Sequence, residues 1–112
     1  MSTVSTHVLD TSLGRPDAGI GVMLERIGVA AQTMVGGGTT DANGRVPVVA
    51  APSALTPATY RLRFDVAAYF AQSGRTTLFP EVVVTFVVGA GDEHYHIPVL
   101  LSPFGYTTYR GS

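Results

Sequence analysis

Two of the three histidines stand two residues apart in His94-Tyr95-His96, and the third is His7. A strand sends alternate side chains to opposite faces. Tyr95, Ile97, Val99 and Leu101 therefore share an apolar face, which the core takes. His94, His96, Pro98 and Leu100 share the other. A neutral histidine is the best general base available near neutral pH. Arg45 follows the turn pair Asn43-Gly44, so its direction is fixed by a turn. Arginine stays charged and offers a planar fork to a carbonyl or enolate oxygen. Histidine to deprotonate water and arginine to hold the developing oxyanion suit hydrolysis of an activated cyclic amide. Ser102 precedes a proline in a turn with no evident base, so no covalent nucleophile is implied. The ending Tyr109-Arg110-Gly111-Ser112 places aromatic, guanidinium and hydroxyl groups where a chain end is usually frayed.

Each of these residues also has a plainer reading. A lone His7 on a strand is commonly a surface or packing residue, and Arg45 after Asn-Gly is commonly turn decoration. His94 and His96 could be two zinc ligands on one strand face with His7 as the third, although no carboxylate is spaced to support them. On the residues alone these alternatives stay open.

The elements that must position these groups are short strands. Thr3 to Leu9 alternates, with Val4, Thr6 and Val8 on one face and Ser5, His7 and Leu9 on the other. Turn formers from Asp10 to Asp17 end it. Ile20 to Ile27 is predicted as a second strand. Gln32 to Thr40, with Gly36-Gly37-Gly38, is predicted as a flexible connection; it lacks the Lys-Ser/Thr and helix of a phosphate loop. Ala50 to Pro57 is a loop. Thr59 to Asp65 places Tyr60, Leu62 and Phe64 inward and Arg61, Arg63 and Asp65 outward. From Val66 the apolar spacing changes to i, i+3, i+4 through Tyr69 and Phe70, predicting one helix of about two turns that Asp65 caps and Gly74 ends. Glu81 to Val88 is apolar on both faces, predicting that both are covered. The pattern predicts an all-β antiparallel sandwich with one short helix.

At 112 residues, the chain is expected to form a single domain, 1–112. Hydrophobic residues make up 46% and charged ones 13%, against about a quarter charged in an average soluble protein. No apolar run is long enough for a membrane helix, so the surplus apolar surface is expected to be hidden between subunits of a homo-oligomer. The net charge is -1 and all seven basic residues are arginine, which argues against nucleic-acid and membrane partners. The absence of cysteine excludes disulfides and thiolate chemistry. The first residues carry no signal-peptide pattern, so the cytoplasm is expected.

Three motifs together resemble the 5-hydroxyisourate hydrolases, the bacterial transthyretin-like proteins. They are Ser5-Thr6-His7-Val8-Leu9-Asp10-Thr11 with Gly14 and Pro16, the Asn43-Gly44-Arg45 turn, and His94-Tyr95-His96-Ile97-Pro98 running on to the Tyr-Arg-Gly-Ser end. That family more often has alanine where this chain has Asp17. The resemblance implies a transthyretin-like sandwich of two four-stranded sheets, assembled as a homotetramer with sites at the subunit interface. It places the first strand beside the histidine strand, with His7 and His96 on one outer face. It also implies hydrolysis of 5-hydroxyisourate to 2-oxo-4-hydroxy-4-carboxy-5-ureidoimidazoline in urate catabolism, with no cofactor or metal. His7, Arg45, His96 and Ser112 are then the catalytic set, and Tyr109, Arg110 and Gly111 contact substrate. The competing reading is a small-ligand carrier such as vertebrate transthyretin, which has the same sandwich but lacks both the histidine pattern and this ending.

Overall fold

The structure is a computed structural model describing residues Met1–Ser112. Alternation decides the first strand, β1 (Thr3–Asp10): Val4, Thr6 and Val8 are buried while His7 and Leu9 are half-buried. Two-residue strands β2 (Arg15–Pro16) and β5 (Arg45–Val46) pair with it. The longer strands are β3 (Gly21–Ile27), β4 (Gln32–Thr39), β6 (Ala58–Asp65), β7 (Glu81–Val88) and β8 (His94–Ser102), with a short β9 (Gly105–Thr108). One sheet runs β2-β1-β8-β9 with β5 also on β1; the other runs β4-β3-β6-β7. Every pairing is antiparallel except β1 with β8, which is parallel.

The inner faces meet in a core of 21 buried hydrophobic residues. Tyr60, Leu62 and Phe64 of β6 lie in it, as do Tyr95, Ile97, Val99 and Leu101 of β8. The alternation therefore predicts the inner face of both strands. Truncating a side chain such as Leu62 to alanine typically costs about 2–5 kcal/mol. The outer side of β7 is open in the protomer, with Val87 67% exposed.

The segment from Gln32 is not a flexible connection but strand β4, paired with β3 along its length. Its glycines are there for close approach. A Cβ on Gly37 would stand 2.5 Å from the Val22 carbonyl oxygen, and one on Gly36 would strike the Val49 carbonyl and come within 2.7 Å of the Ala50 Cβ. Larger residues would force the backbones apart.

The one helix, α1 (Val66–Gln72), follows β6 directly, and Gly74 stands just past it. Asp65 occupies the capping position without a side-chain capping bond. Burial of Val66 and Phe70 fixes the helix instead. Its far end is tied to β1 through Asp10. One carboxylate oxygen of Asp10 accepts from the Ser12 amide and hydroxyl and the Leu13 amide. The other accepts from the Tyr69 hydroxyl at 2.8 Å and the Arg75 guanidinium at 2.7 Å. Burial alone would raise the pKa of Asp10, but these donors outweigh it and hold the carboxyl well below the usual range.

Candidate active site

The parallel register sets the site. Ser5 lies beside His96, Thr3 beside His94 and His7 beside Pro98. Side chains at Thr3, Ser5, His7, His94 and His96 all point to the outer face by alternation. On its other side β1 pairs with β5, which places Arg45 directly opposite His7. Arg45 arrives through the turn after Asp41. The Asp41 carboxylate accepts from the Asn43 amide at 2.9 Å and the Arg45 amide at 3.0 Å, and the Val8 amide donates to the Gly44 carbonyl at 2.7 Å. Backbone bonds thus fix where the guanidinium begins.

The chain end closes against His96. The Gly111 amide donates to the His96 carbonyl at 2.8 Å, an antiparallel bridge that continues the sheet. A Cβ on Gly111 would lie 2.5 Å from Cδ2 of the His96 ring, so only glycine lets the terminus pass this closely. Ser112 follows and is exposed.

Electrostatics favour neutral rings. Partial burial lowers the pKa of His7, Arg45 lowers it further, and the Asn43 backbone and Asp41 oppose the shift. Burial likewise lowers that of His96, with Arg45, His94 and His7 adding to the effect. Both rings are therefore uncharged near neutral pH and able to accept a proton. No three His, Asp or Glu side chains converge as a ligand set for a metal ion.

The sequence-predicted residues divide into two groups. His7, Arg45 and His96 come together on one face, with Gly111 bridged to His96 at its edge. Arg110 turns elsewhere: its guanidinium lies 4.7 Å from the centre of the Tyr95 ring, which alternates to the opposite face, and it bonds Glu93 and the His94 carbonyl. Tyr109 and Arg110 border a cavity of about 230 Å³ between the sheet edges, lined also by Val84, Phe86 and Ile97. None of the protomer's cavities includes His7, Arg45 or His96.

Sequence reasoning missed Ser5 and Asp41. The Ser5 hydroxyl lies 2.8 Å from Nδ1 of His96 and 2.9 Å from Nε2 of His94. The available signal was its place two residues before His7, on the same face.

The model of the HIUase/Transthyretin family matches residues 4–111. The chain belongs to this family. The Mus musculus member "5-hydroxyisourate hydrolase" is 40% identical over 113 residues, covering 99% of this chain and 96% of the relative. The solved Klebsiella pneumoniae 5-hydroxyisourate hydrolase is 38% identical and superposes with a TM-score of 0.88, all of both chains being covered. Transthyretin from Sparus aurata is 28% identical, with a TM-score of 0.92 over 97% of this chain and 96% of its own. The fold thus serves differently named proteins, and function must be argued from the site.

Proposed function

We propose that this family member hydrolyses 5-hydroxyisourate to 2-oxo-4-hydroxy-4-carboxy-5-ureidoimidazoline, a step of urate breakdown in purine catabolism, in the cytoplasm. One observation carries the reading: two histidines on a single sheet face, with Arg45 set opposite one of them. The hydrolase names of relatives at 40% identity support it. His96 or His7 takes a proton from water as its oxygen attacks the cyclic amide carbonyl. The carbonyl π pair moves onto oxygen, where Arg45 meets the new charge. Ser112, which Gly111 leads past His96, supplies a hydroxyl to the substrate at that face, and Tyr109 and Arg110 anchor the approach of the terminus from the opposite side. The single domain 1–112 works as a homotetramer. Exposed Val87, Phe104 and Tyr109 are then covered, and a second subunit walls a face that is open in the protomer.

The test is direct. Purified protein should speed the loss of ultraviolet absorbance of 5-hydroxyisourate freshly made by urate oxidation. A rate no faster than spontaneous decay overturns the reading. The carrier alternative rests on the sandwich shared with transthyretin, and it predicts binding of a small ligand with no turnover.

A further inference from the structure

Four side chains on the outer face form one unbroken hydrogen-bonded line. Thr3 Oγ1 lies 2.5 Å from Nδ1 of His94, Nε2 of His94 lies 2.9 Å from Ser5 Oγ, and Ser5 Oγ lies 2.8 Å from Nδ1 of His96. The imidazole planes are within 13° of parallel. Ser5 is buried, His96 half-buried and His94 exposed, so the line runs from the site toward solvent. We propose that this line is a proton relay by which His96 exchanges its proton with bulk water, Ser5 and His94 serving as positioning residues behind it. The proposal rests on the hydrolase reading above.

The argument begins with a count of hydrogens. Ser5 has one hydroxyl proton and two ring nitrogens on its oxygen, so one ring donates and the other accepts. The line therefore has two directions. In the first, His96 Nδ1–H donates to Ser5, Ser5 donates to His94 Nε2, and His94 Nδ1–H donates to Thr3. Nε2 of His96, which has no partner within the protein, then bears a lone pair. In the second direction every bond is reversed and Nε2 carries a hydrogen. The same atom is a base in one state and an acid in the other.

The reaction switches the line between these states. As water attacks, its lone pair forms the new C–O bond and its proton passes to Nε2 of His96. The Nδ1 proton moves to Ser5, the Ser5 proton to His94 Nε2, the His94 Nδ1 proton to Thr3, and the Thr3 proton to solvent. No imidazolium is left beside Arg45, His7 and His94, all of which disfavour a positive charge on His96. The Nε2 hydrogen then goes to the departing ring nitrogen as its bond to carbon breaks. Solvent returns a proton at Thr3, and the line resets.

The experiment compares the parent with Ser5→Ala, Ser5→Thr and His94→Gln. Glutamine at the exposed His94 can still bond Ser5 but cannot pass a proton through. Ser5→Ala and His94→Gln should lose about tenfold or more in kcat, within the range of a general acid–base contribution, with KM little changed. Ser5→Thr, which keeps the hydroxyl, should recover most of that loss. Rates in mixtures of light and heavy water should curve with deuterium content in the parent and become linear in His94→Gln. Full kcat with a curved dependence in His94→Gln would overturn the relay, even if Ser5→Ala fails to fold. A second readout needs no turnover. Ring-nitrogen NMR should show both neutral forms of His96 in the parent and a moved balance in His94→Gln. Unmoved shifts overturn the relay, whereas a parent with no hydrolysis overturns only the functional reading.

Discussion

Asp17 is fully buried and neither of its carboxylate oxygens has a hydrogen-bond partner. The Tyr69 hydroxyl donates to Asp10 instead. Burial raises the Asp17 pKa from 3.8 to about 6; the charge of Asp10 adds to the rise, while Tyr69, Arg75 and Arg15 oppose it. The folded protein thus binds this proton more tightly than the unfolded chain. Stability falls as pH climbs through the interval between the two pKa values and stays low above it. At about 1.4 kcal/mol per pH unit, the loss approaches roughly 3 kcal/mol. Asp17→Ala removes the charge and leaves a small void, so it should stabilise by about 1–3 kcal/mol at about pH 8. At about pH 4 both proteins carry a neutral group there, and the variant should be equal or slightly weaker. Urea unfolding of the two proteins across this range, at one fixed protein concentration, measures the difference directly. Contributions from Asp10 and the histidines are common to both proteins and cancel. A stability difference that does not change between the two pH values would refute the reasoning.

Four further outcomes concern the outer face. His96→Ala and His7→Ala should fold as the parent does, by circular dichroism, and lose about 10²–10⁴-fold in rate; a folded His96→Ala as fast as the parent removes that residue from the chemistry. Because both rings titrate below the ordinary histidine value of 6.5, the acid limb of the rate profile should lie below it, and a limb above it contradicts the assignment. Gly111→Ala would push a methyl group to 2.5 Å from the His96 ring. A displacement of about 1 Å there should cost about 100-fold in rate while the melting temperature barely moves. A chelator should leave the rate unchanged, and loss restored by zinc would favour the metal reading.

The inner faces of β6 and β8 were legible because strict alternation has one physical meaning when one side is buried. The orientation of the histidines followed from the same rule. β4 was not legible: Gly36, Gly37 and Gly38 carry no side chains to alternate, and their purpose appears only where Val22 and Val49 pass beside them. Ser5 was hidden for another reason. Its bond to His96 joins residues 91 positions apart, and only the parallel register of β1 on β8 brings them together. The anchoring of Arg110 was not legible either: nothing in the terminal tetrapeptide shows that its guanidinium lies over the Tyr95 ring and bonds Glu93.

The parallel pairing of β1 with β8 also has a bearing on synthesis. Residues Thr3–Asp10 leave the ribosome early, but their partners, residues 94–101, emerge only after most of the sandwich. Until then one edge of β1 is bare, an invitation to pair with another chain. Closing a loop of this length costs about 3 kcal/mol more than closing a hairpin loop of a few residues, so β1 and β8 dock late. A stalled or prematurely released chain could still pair β3, β4, β6 and β7, but it would hold half of the histidine face. Competence in the chemistry is thereby tied to the synthesis of β8, and any fragment that lacks it keeps an open sheet edge along β1.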